Sequence, residues 1–374
     1  MRTLHAERSR RPLWAGSLGW LLAGLASLGA CGSSATSPMD PLPPDNAMPT
    51  GGFFLAFAAD FVSGGTCGDE PTGALGGAGC DIYRARLDSA FQPITVGRLT
   101  QDPVPEVFPS IQANGASVAF HTLASTTARS LVWVDAATSA RIVLSDSAQY
   151  PEILPDGSRL LFTDLAAGSA LVSAPFSAGG TTLGSRTALG SAMPAQDVNV
   201  AADGIHAVFH VPGTATNHGV YWVNLSVSPA APQPVTQQSG IGHCTISPTG
   251  SRVVCDDANG RGLAAWAITP GSGNSISVSS QGTIVSDPSN LSASDADYAG
   301  CGTTSVDFPS FCDDTHLAVS VSCVSLGSGI RFSKVFLADL NTSPATLQPL
   351  GATLASRVGG AGKTSWTPSC RAAR

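Results

Sequence analysis

The feature that most restricts the fold of this chain is a hairpin motif that recurs along it. Each copy has an apolar strand, a tight turn and a second apolar strand. The copies are PSIQANGASVAFH (109–121), PEILPDGSRLLFT (151–163), VNVAADGIHAVFH (198–210), CTISPTGSRVVCD (244–256) and the degenerate PSFCDDTHLAVS (309–320). Asn-Gly and Asp-Gly between apolar runs predict hairpins, because the turn needs a positive φ that glycine adopts easily. The turn glycines at 115, 157, 204 and 250 are 42, 47 and 46 residues apart. This spacing is typical of one four-stranded propeller blade.

Further apolar segments supply two more strands for each repeat. Third strands are predicted at 131–135, 170–174, 220–224, 263–268 and 335–339, and weaker fourth strands include 141–145, 234–238 and 346–350. The segment at 54–60 resembles a second strand without a first, and Ser365-Trp366-Thr367-Pro368 resembles a first strand without a second. Pairing these two ends would remove an exposed sheet edge. We therefore predict an all-β fold, a six-bladed β-propeller closed by pairing of the N- and C-terminal strands.

Amino-acid usage agrees with an all-β fold. Of the 26 acidic residues, 22 are Asp and four are Glu, and the chain has 41 Gly and 26 Pro. Asp favours turns, whereas Glu favours helices. A β-sandwich, or two all-β domains with coincidental Asp-Gly turns, is the alternative, but sandwiches rarely repeat one motif five times. Residues 267–307, rich in Ser, Gly and Asp, are expected to form an insertion.

Two copies of the motif carry a resemblance to a known family. Leu154-Pro155-Asp156-Gly157 and Ser247-Pro248-Thr249-Gly250, each followed by an apolar strand, resemble the "SPDG" repeats of TolB-type propellers. The resemblance covers roughly residues 51–374 and implies a propeller with partners in the cell envelope. The helical N-terminal domain of that family has no counterpart in this sequence. The resemblance therefore specifies blade architecture more than function.

The N-terminal residues predict export and lipid attachment. A segment with four Arg precedes an apolar stretch at 13–28, too short to cross ~30 Å of hydrocarbon comfortably. The following Leu28-Gly29-Ala30-Cys31 resembles the lipobox of bacterial lipoproteins, which implies acylation of Cys31, with palmitate among the acyl chains, and cleavage before it. An ordinary secretory signal is the alternative. Gly32, where an Asp would signal retention, favours the outer membrane by analogy.

Three segments are expected: a lipoprotein signal peptide (1–30), a flexible tether (31–50) and the propeller (51–374). The tether is rich in Ser and Pro and cannot bury enough apolar surface to become ordered. The chain has 19 basic and 26 acidic residues; four Arg and one Glu lie before Cys31, so the remainder has 15 and 25, a net charge of −10. This charge argues against a nucleic-acid partner. The expected partners are a membrane, through the lipid, and a protein, peptide or glycan of the envelope.

Nine cysteines less Cys31 leave eight, an even number that suggests disulfides in an exported protein. Cys67 and Cys80 bracket a Gly-rich loop and are predicted to pair. Cys244 and Cys255 flank a tight turn and are predicted to face each other across a hairpin. The pairing of Cys301, Cys312, Cys323 and Cys370 stays open at this level.

The sequence contains none of the usual catalytic motifs: no GxSxG, HExxH, GxxxxGK[ST] or sialidase Asp box. We expect no metal, because no paired CxxC with His spacing is present, and no cofactor. Four residues are candidates for a ligand-binding rim: His121, His210, His243 and Asp256. His121, His210 and Asp256 end second strands in successive blades, as does Thr163, and Tyr150 enters the same face. The alternative is that they cap loops. The aromatic residues of third strands, including Trp133, Trp222 and Trp266, are expected to pack between blades rather than to bind carbohydrate.

These observations favour a non-enzymatic binding or scaffold lipoprotein that uses one face of the propeller. The alternative is an envelope hydrolase or lyase with its site in the channel, which a cluster of buried carboxylates or histidines at the channel mouth would favour. A purely structural envelope module is a third hypothesis. Fold by itself does not decide between them.

Overall fold

The computed structural model describes residues 51–61, 80–124, 128–176, 182–190, 193–213, 217–257, 261–272, 274–285, 295–326, 331–358 and 364–374. The predicted signal peptide and tether, with Cys31, lie outside these ranges, and so does Cys67. Within the described ranges, 24 strands form six antiparallel sheets of four strands each. We number the strands in chain order and call the sheets blades 1 to 6.

The strand bounds are as follows. Blade 1 contains β1 (Phe53–Asp60), β2 (Asp81–Leu87) and β3 (Pro93–Arg98). Blade 2 contains β4 (Glu106–Ile111), β5 (Ser117–Thr122), β6 (Leu131–Asp135) and β7 (Arg141–Ser145). Blade 3 contains β8 (Ala148–Ile153), β9 (Arg159–Asp164), β10 (Ala170–Pro175) and β11 (Thr187–Ala188). Blade 4 contains β12 (Gln196–Val200), β13 (His206–Val211), β14 (Gly219–Asn224) and β15 (Gln233–Thr236). Blade 5 contains β16 (Cys244–Ile246), β17 (Arg252–Asp256), β18 (Leu263–Pro270) and β19 (Ile276–Val285). Blade 6 contains β20 (Cys301–Phe311), β21 (His316–Ser325), β22 (Arg331–Asp339) and β23 (Thr346–Pro349).

The last strand closes the ring. β24 (Thr364–Ala372) pairs with β1 and becomes the innermost strand of blade 1, in the order β24-β1-β2-β3. In the register of this pair, Leu55 lies opposite Cys370 and Ala58 lies opposite Trp366. The other five blades follow chain order from the inside outwards. The predicted six-bladed propeller and its closure by the terminal strands are confirmed.

The hydrophobic core lies between the blades. Six clusters of buried residues each join two neighbouring blades, so that every interface of the ring has its own apolar layer. Trp133, Trp222 and Trp266 belong to these layers and are 3%, 0% and 6% exposed. Burial of apolar surface between blades therefore holds neighbouring sheets together.

The recurring turns follow the first strands. They lie at one face of the ring, which we call the turn face. Gly115 and Gly157 have φ of 69° and 72°, as their turns require. Each also lies against the preceding blade, where a Cβ atom would collide with Phe54 or Gln112 respectively. In the degenerate fifth copy, which has no glycine, Asp313 Oδ1 accepts the N–H groups of the two residues that follow the turn, at 2.7 and 2.8 Å.

Blades 5 and 6 depart from the others. The segment expected to be an insertion contains β19, an ordinary fourth strand although exposed, and the beginning of β20. Strands β20 to β22 have 11, 10 and 9 residues, longer than their counterparts in blade 2. The expectation of an insertion over 267–307 was thus wrong for most of its length, because Ser and Thr with few apolar residues hid two strands. A helix, α1 (Gly351–Arg357), follows β23. No helix among the described residues has the length and apolar character needed to cross a membrane.

Candidate functional site

The first strands of five blades share an irregularity that points side chains into the central channel. Each pairing with the second strand shifts register within the first strand, and a non-glycine residue at a shift has φ between 45° and 55°. These bulge residues are Phe108, Tyr150, Asp197, Phe308 and Thr367. His243 stands at the equivalent place of blade 5, just before β16. A bulge re-aims the side chain it carries and is costly for a residue with a Cβ atom.

The six bulge positions surround an open cavity at the end of the channel where the first strands begin. We call this cavity the channel mouth. Phe108, Phe308 and His243 are partly exposed in it, whereas Tyr150 and Thr367 are almost fully buried. The mouth is thus a preformed concave site with aromatic walls and a few polar groups, the usual character of a ligand site.

Below the mouth, a closed ring of hydrogen bonds joins all six blades. Two residues after each bulge position, a side-chain oxygen accepts the backbone N–H of the next blade's first strand. The six contacts are Ser110 with Ile153 (2.9 Å), Glu152 with Val200 (3.2 Å), Asn199 with Ile246 (3.2 Å), Thr245 with Phe311 (3.4 Å), Ser310 with Cys370 (2.9 Å) and Ser369 with Ile111 (3.2 Å). We call these six acceptors the acceptor ring. Each contact satisfies a buried inner-edge N–H that has no further strand to pair with.

One ion pair spans the channel at the level of this ring. Arg371 of blade 1 is bonded to the carboxylate of Glu152 in blade 3, and its other terminal nitrogen donates to Val200 O of blade 4 at 2.7 Å. Glu152 is 4% exposed, and Arg371 is 9% exposed. Burial raises the pKa of Glu152, and Arg371 opposes that rise. A second cavity lies beyond the ring towards the turn face and is lined in part by Arg371 and Pro155.

On one side of the mouth, His243 lies between two carboxylates. Its Nδ1 is 2.7 Å from Asp256 Oδ2, and its Nε2 is 3.4 Å from Asp197 Oδ2. Asp256 is 5% exposed, and its other oxygen, Oδ1, has no hydrogen-bond partner among the described residues. This arrangement fixes the imidazole ring and leaves its Nε2 edge towards the mouth.

The electrostatics of this side are dominated by burial. Burial raises the pKa of Asp256 well above its usual range. Burial and the neighbouring Asp256 raise the pKa of Asp307 to about 7, although the Ser305 hydroxyl and His243 act in the opposite direction. Burial, together with nearby His243, lowers the pKa of His210 to about 4. Carboxyl groups here retain protons because burial disfavours their ionised form.

The opposite side of the mouth is aromatic. The Phe108 ring meets Phe308 edge-on with centroids 5.3 Å apart, and it meets Tyr150 edge-on at 4.8 Å. The imidazole of His243 lies over Phe308 with ring centroids 3.7 Å apart. Trp366 supports Phe308 from below at 4.8 Å. These contacts hold the partly exposed rings in place.

The four predicted rim residues divide into two groups. His243 and Asp256 come together at the mouth. His121 is fully buried between blades 2 and 3, where its Nδ1 accepts the backbone N–H of Tyr150 at 3.2 Å, and burial lowers its pKa well below the usual range. His210 is half-buried beside a separate cavity that His218 also lines.

The second-strand position shared by His121 and Asp256 has a structural task that the sequence did not reveal. The residue at this position takes a backbone N–H from the bulge residue of the next blade: His121 from Tyr150, Asp256 from Phe308, and Ser320 from Thr367 at 3.1 Å. At the equivalent place Thr163 donates its hydroxyl proton to Ala195 O at 2.8 Å. That these residues bind a ligand stays a prediction.

The structure confirms one predicted disulfide and shows the pairing of the four cysteines that the sequence left open. Cys244 and Cys255 form a disulfide across the hairpin of blade 5, as predicted, with Cα atoms 4.1 Å apart. Cys301 pairs with Cys323 inside blade 6. Cys312 pairs with Cys370, which links blade 6 to the closing strand. Cys80 is disulfide-bonded, but its predicted partner Cys67 lies outside the described residues.

The sequence did not indicate four of the six mouth residues: Phe108, Asp197, Phe308 and Thr367. A signal for three of them was present, because Phe108, Phe308 and Thr367, like Tyr150, directly precede a proline at the start of a repeat. Nothing marked Asp197, which precedes Val198. No group of three or more His, Cys, Asp or Glu side chains in the described part of the chain is arranged to hold a metal ion.

Comparison with solved structures finds other propeller proteins. TolB from Acinetobacter baumannii is 12% identical with a TM-score of 0.49, and the match covers 85% of this chain and 66% of that one. A presumed TolB from Agrobacterium tumefaciens is 12% identical with a TM-score of 0.48, covering 80% and 89%. A chain of a nidogen/laminin complex is 10% identical with a TM-score of 0.49, covering 85% and 98%. No family model and no curated protein matches the sequence. At these identities the likeness concerns the fold alone.

Proposed function

We propose that this chain is an outer-membrane lipoprotein, held by acyl chains on Cys31, whose propeller binds a protein, peptide or glycan through the channel mouth. The observation that carries the binding proposal is the contrast between two layers of the channel. All six members of the acceptor ring do one structural task, and all have an oxygen that can accept an N–H. The six bulge positions lie one layer above the acceptor ring, and their residues are Phe, Tyr, Asp, His, Phe and Thr. Ligand recognition needs side chains of different chemistry that the backbone holds in fixed positions.

The accessible aromatic rings give the mouth its capacity to hold a partner. Phe108 and Phe308 keep part of their surface exposed although they sit at the centre of the ring. Large rigid side chains at the centre of a concave surface contribute most of the binding energy in many interfaces. A substituent that enters the mouth would cover both rings and approach His243 and Asp197.

The binding proposal is tested with the full-length protein and variants, each immobilised and exposed to envelope extract. Phe308→Ser changes the mouth, and Val143→Ser is the matched control, because Val143 is an apolar residue of an outer strand that is 55% exposed. We expect specific partners to bind the wild type and the control and to be lost from Phe308→Ser. Equal recovery by all three proteins, or no recovery above an unrelated lipoprotein, would contradict the proposal. Near-ultraviolet circular dichroism checks that the variants fold.

Lipid attachment has its own test. Cells that express the full chain and are fed labelled palmitate should label the wild type but not Cys31→Ser. The wild type should fractionate with the outer membrane and Cys31→Ser with the soluble material. Labelling that persists in Cys31→Ser would contradict attachment at this residue.

One observation favours the second candidate, an envelope hydrolase or lyase. Buried Asp256 holds His243 by Nδ1, so that Nε2 faces the mouth as the nitrogen of a general base would. In this mechanism His243 would take a proton from water or from a substrate carbon, and Asp256 would keep the imidazole ring oriented. Screening of envelope polysaccharides and peptides should then show turnover that falls at least ~100-fold in His243→Gln. Turnover that is equal in His243→Gln and the wild type would exclude this mechanism.

A further inference from the structure

We infer that the channel mouth receives a basic side chain, a lysine ammonium or an arginine guanidinium, of the protein or peptide that the propeller binds. The inference rests on the binding function proposed above and specifies its chemistry. It depends on three properties of the mouth: an excess of carboxyl groups, a buried acceptor that lacks a donor, and exposed aromatic faces.

Carboxyl groups outnumber basic groups around the mouth. Asp197 lines the cavity directly, with Asp256 and Asp307 in the layer beside it. Glu152 also lines the cavity, but Arg371 neutralises it from below. Among the described residues that line the mouth there is no Lys or Arg, and His243 is the one basic side chain. The local field therefore favours a cation.

Two of these carboxyl groups are only partly compensated, although His243 Nδ1 lies 2.7 Å from Asp256 Oδ2. Asp256 Oδ1 is buried and accepts no hydrogen bond from any described residue. Asp307 receives the hydroxyls of Ser305, at 2.8 Å, and Ser322, at 3.5 Å, but no cationic group is bonded to it. Buried acids without a counter-charge stay protonated, and their raised pKa values agree with this. A cation in the mouth would stabilise their ionised forms.

The aromatic wall offers a surface for the same cation. A cation over a phenyl face is attracted by the ring quadrupole, and a planar guanidinium can also stack. The imidazole of His243 already lies over Phe308 at 3.7 Å and between two carboxylates, so the protein places one of its own basic groups in this environment. Phe108 lies 6.0 Å from His243 and leaves a second phenyl surface beside it.

An organic cation fits these walls better than a bare metal ion. A metal ion requires several oxygen or nitrogen ligands converging on one point, and the described residues show no such group. The mouth instead alternates aromatic rings and prolines with isolated polar groups. A side chain with an apolar stem and a charged tip matches that pattern.

The test uses blocked tripeptides, acetyl-Gly-Xaa-Gly-amide, in which Xaa is Lys, Arg, norleucine or Glu. Saturation-transfer NMR and calorimetric titration against the full-length protein measure their binding, and unblocked triglycine amide tests an N-terminal ammonium as the source of the charge. We expect saturable binding of the Lys and Arg peptides, at least ~5-fold tighter than that of the norleucine peptide, from one partly desolvated charge interaction. The Glu peptide should not bind.

Asp197→Asn should weaken the binding of the Lys and Arg peptides about fivefold and leave the binding of the norleucine peptide unchanged. Asp146→Asn is the matched control, because Asp146 is exposed in the loop before β8 and the change removes the same charge from the same face. Phe308→Leu keeps the cavity apolar, and it should weaken the binding of the Lys and Arg peptides more than that of the norleucine peptide. Equal binding of the norleucine and basic peptides, or binding unaffected by Asp197→Asn, would overturn the inference.

Binding of a basic peptide should also release protons, which calorimetry in buffers of different ionisation enthalpy measures. The titratable and charged groups that line the mouth are Glu152, Asp197 and His243. Those that act on them from the surrounding elements are His210, Asp256, Asp257, Asp307 and Arg371. Because the pKa of Asp307 lies near 7, affinity should rise between pH 6 and 8, and Asp307→Asn should reduce the proton release. Proton uptake would contradict the inference. If envelope partners are lost from Phe308→Ser while no basic peptide binds, the proposed function stands and this inference fails.

Discussion

Ser369 Oγ accepts the backbone N–H of Ile111 at 3.2 Å, and this contact completes the acceptor ring that joins all six blades. Ser369 lies on the closing strand β24, and Ile111 ends the first strand of blade 2. The two residues are 258 positions apart in the sequence. The ring is therefore closed twice, once by the pairing of β24 with β1 and once by this side-chain bond between blades 1 and 2.

Removal of an acceptor from this ring should destabilise the protein by about 1–3 kcal/mol, the cost of leaving a buried N–H unsatisfied. Ser369→Ala leaves Ile111 N–H without its partner, and Ser310→Ala does the same to Cys370 N–H. Denaturant unfolding followed by tryptophan fluorescence measures the change. Ser356→Ala, in the exposed part of α1, is the control and should change stability by less than ~0.5 kcal/mol. Equal stability of all three variants would show that water replaces the lost acceptor.

Loss of Arg371 should be more severe, because it leaves Glu152 buried without a counter-charge. Arg371→Met is expected to cost about 3–5 kcal/mol. Adding Glu152→Gln should restore much of the loss, since the amide oxygen can still accept the N–H of Val200 and carries no charge. The double-mutant cycle is measured by denaturant unfolding at pH 7. A double variant no more stable than Arg371→Met would contradict the ion-pair interpretation.

The stability of the protein should fall as pH rises from about 5 to about 8. The pKa of Asp307 is about 7 in the folded protein, above its usual 3.8, because the carboxyl is buried next to Asp256. Glu106, also buried, has a pKa of about 7. A raised pKa means that the folded state binds more protons than the unfolded state between these values, so this stabilisation is complete below the unfolded pKa and is lost through the folded one.

Thermal melts between pH 4.5 and 8.5 measure this dependence. Asp307→Asn should flatten it, by up to about 1.4 kcal/mol for each unit by which the pKa is displaced. The exposed-site control Asp146→Asn should leave the slope unchanged. A slope that is the same in Asp307→Asn and the wild type would exclude Asp307 as a source of the effect.

The disulfide between Cys312 and Cys370 should stabilise the closed ring more than the one between Cys244 and Cys255. The first joins two blades over a separation of 58 residues, whereas the second crosses one hairpin over 11. Loop-closure entropy predicts about 4 kcal/mol for the first and about 3 kcal/mol for the second. Paired Cys→Ala variants of each bridge, compared by denaturant unfolding, test the order. A larger loss from the Cys244/Cys255 variant would show that strand pairing already fixes the closing strand without its sulfur link.

The sequence by itself determined the fold, because its signals are local. Positive-φ glycines such as Gly157 mark a turn between strands that pair with each other. The repetition of this hairpin at a similar spacing then predicts a ring of blades. Closure followed from the two incomplete ends, and the Cys244–Cys255 pair followed from the hairpin between them. The Ser-rich segment around β19 shows the limit, because an exposed outer strand needs no apolar pattern to pair.

Only the tertiary structure decided what occupies the channel. Asp197 and His243 are 46 positions apart, and no local pattern indicates that their side chains meet, because the first strands of two neighbouring blades direct them inwards. The approach of Arg371 to Glu152 spans the ring and 219 residues of sequence. The first strands of the six blades lie around one axis. The role of each inward side chain therefore depends on the inward side chains of the other blades.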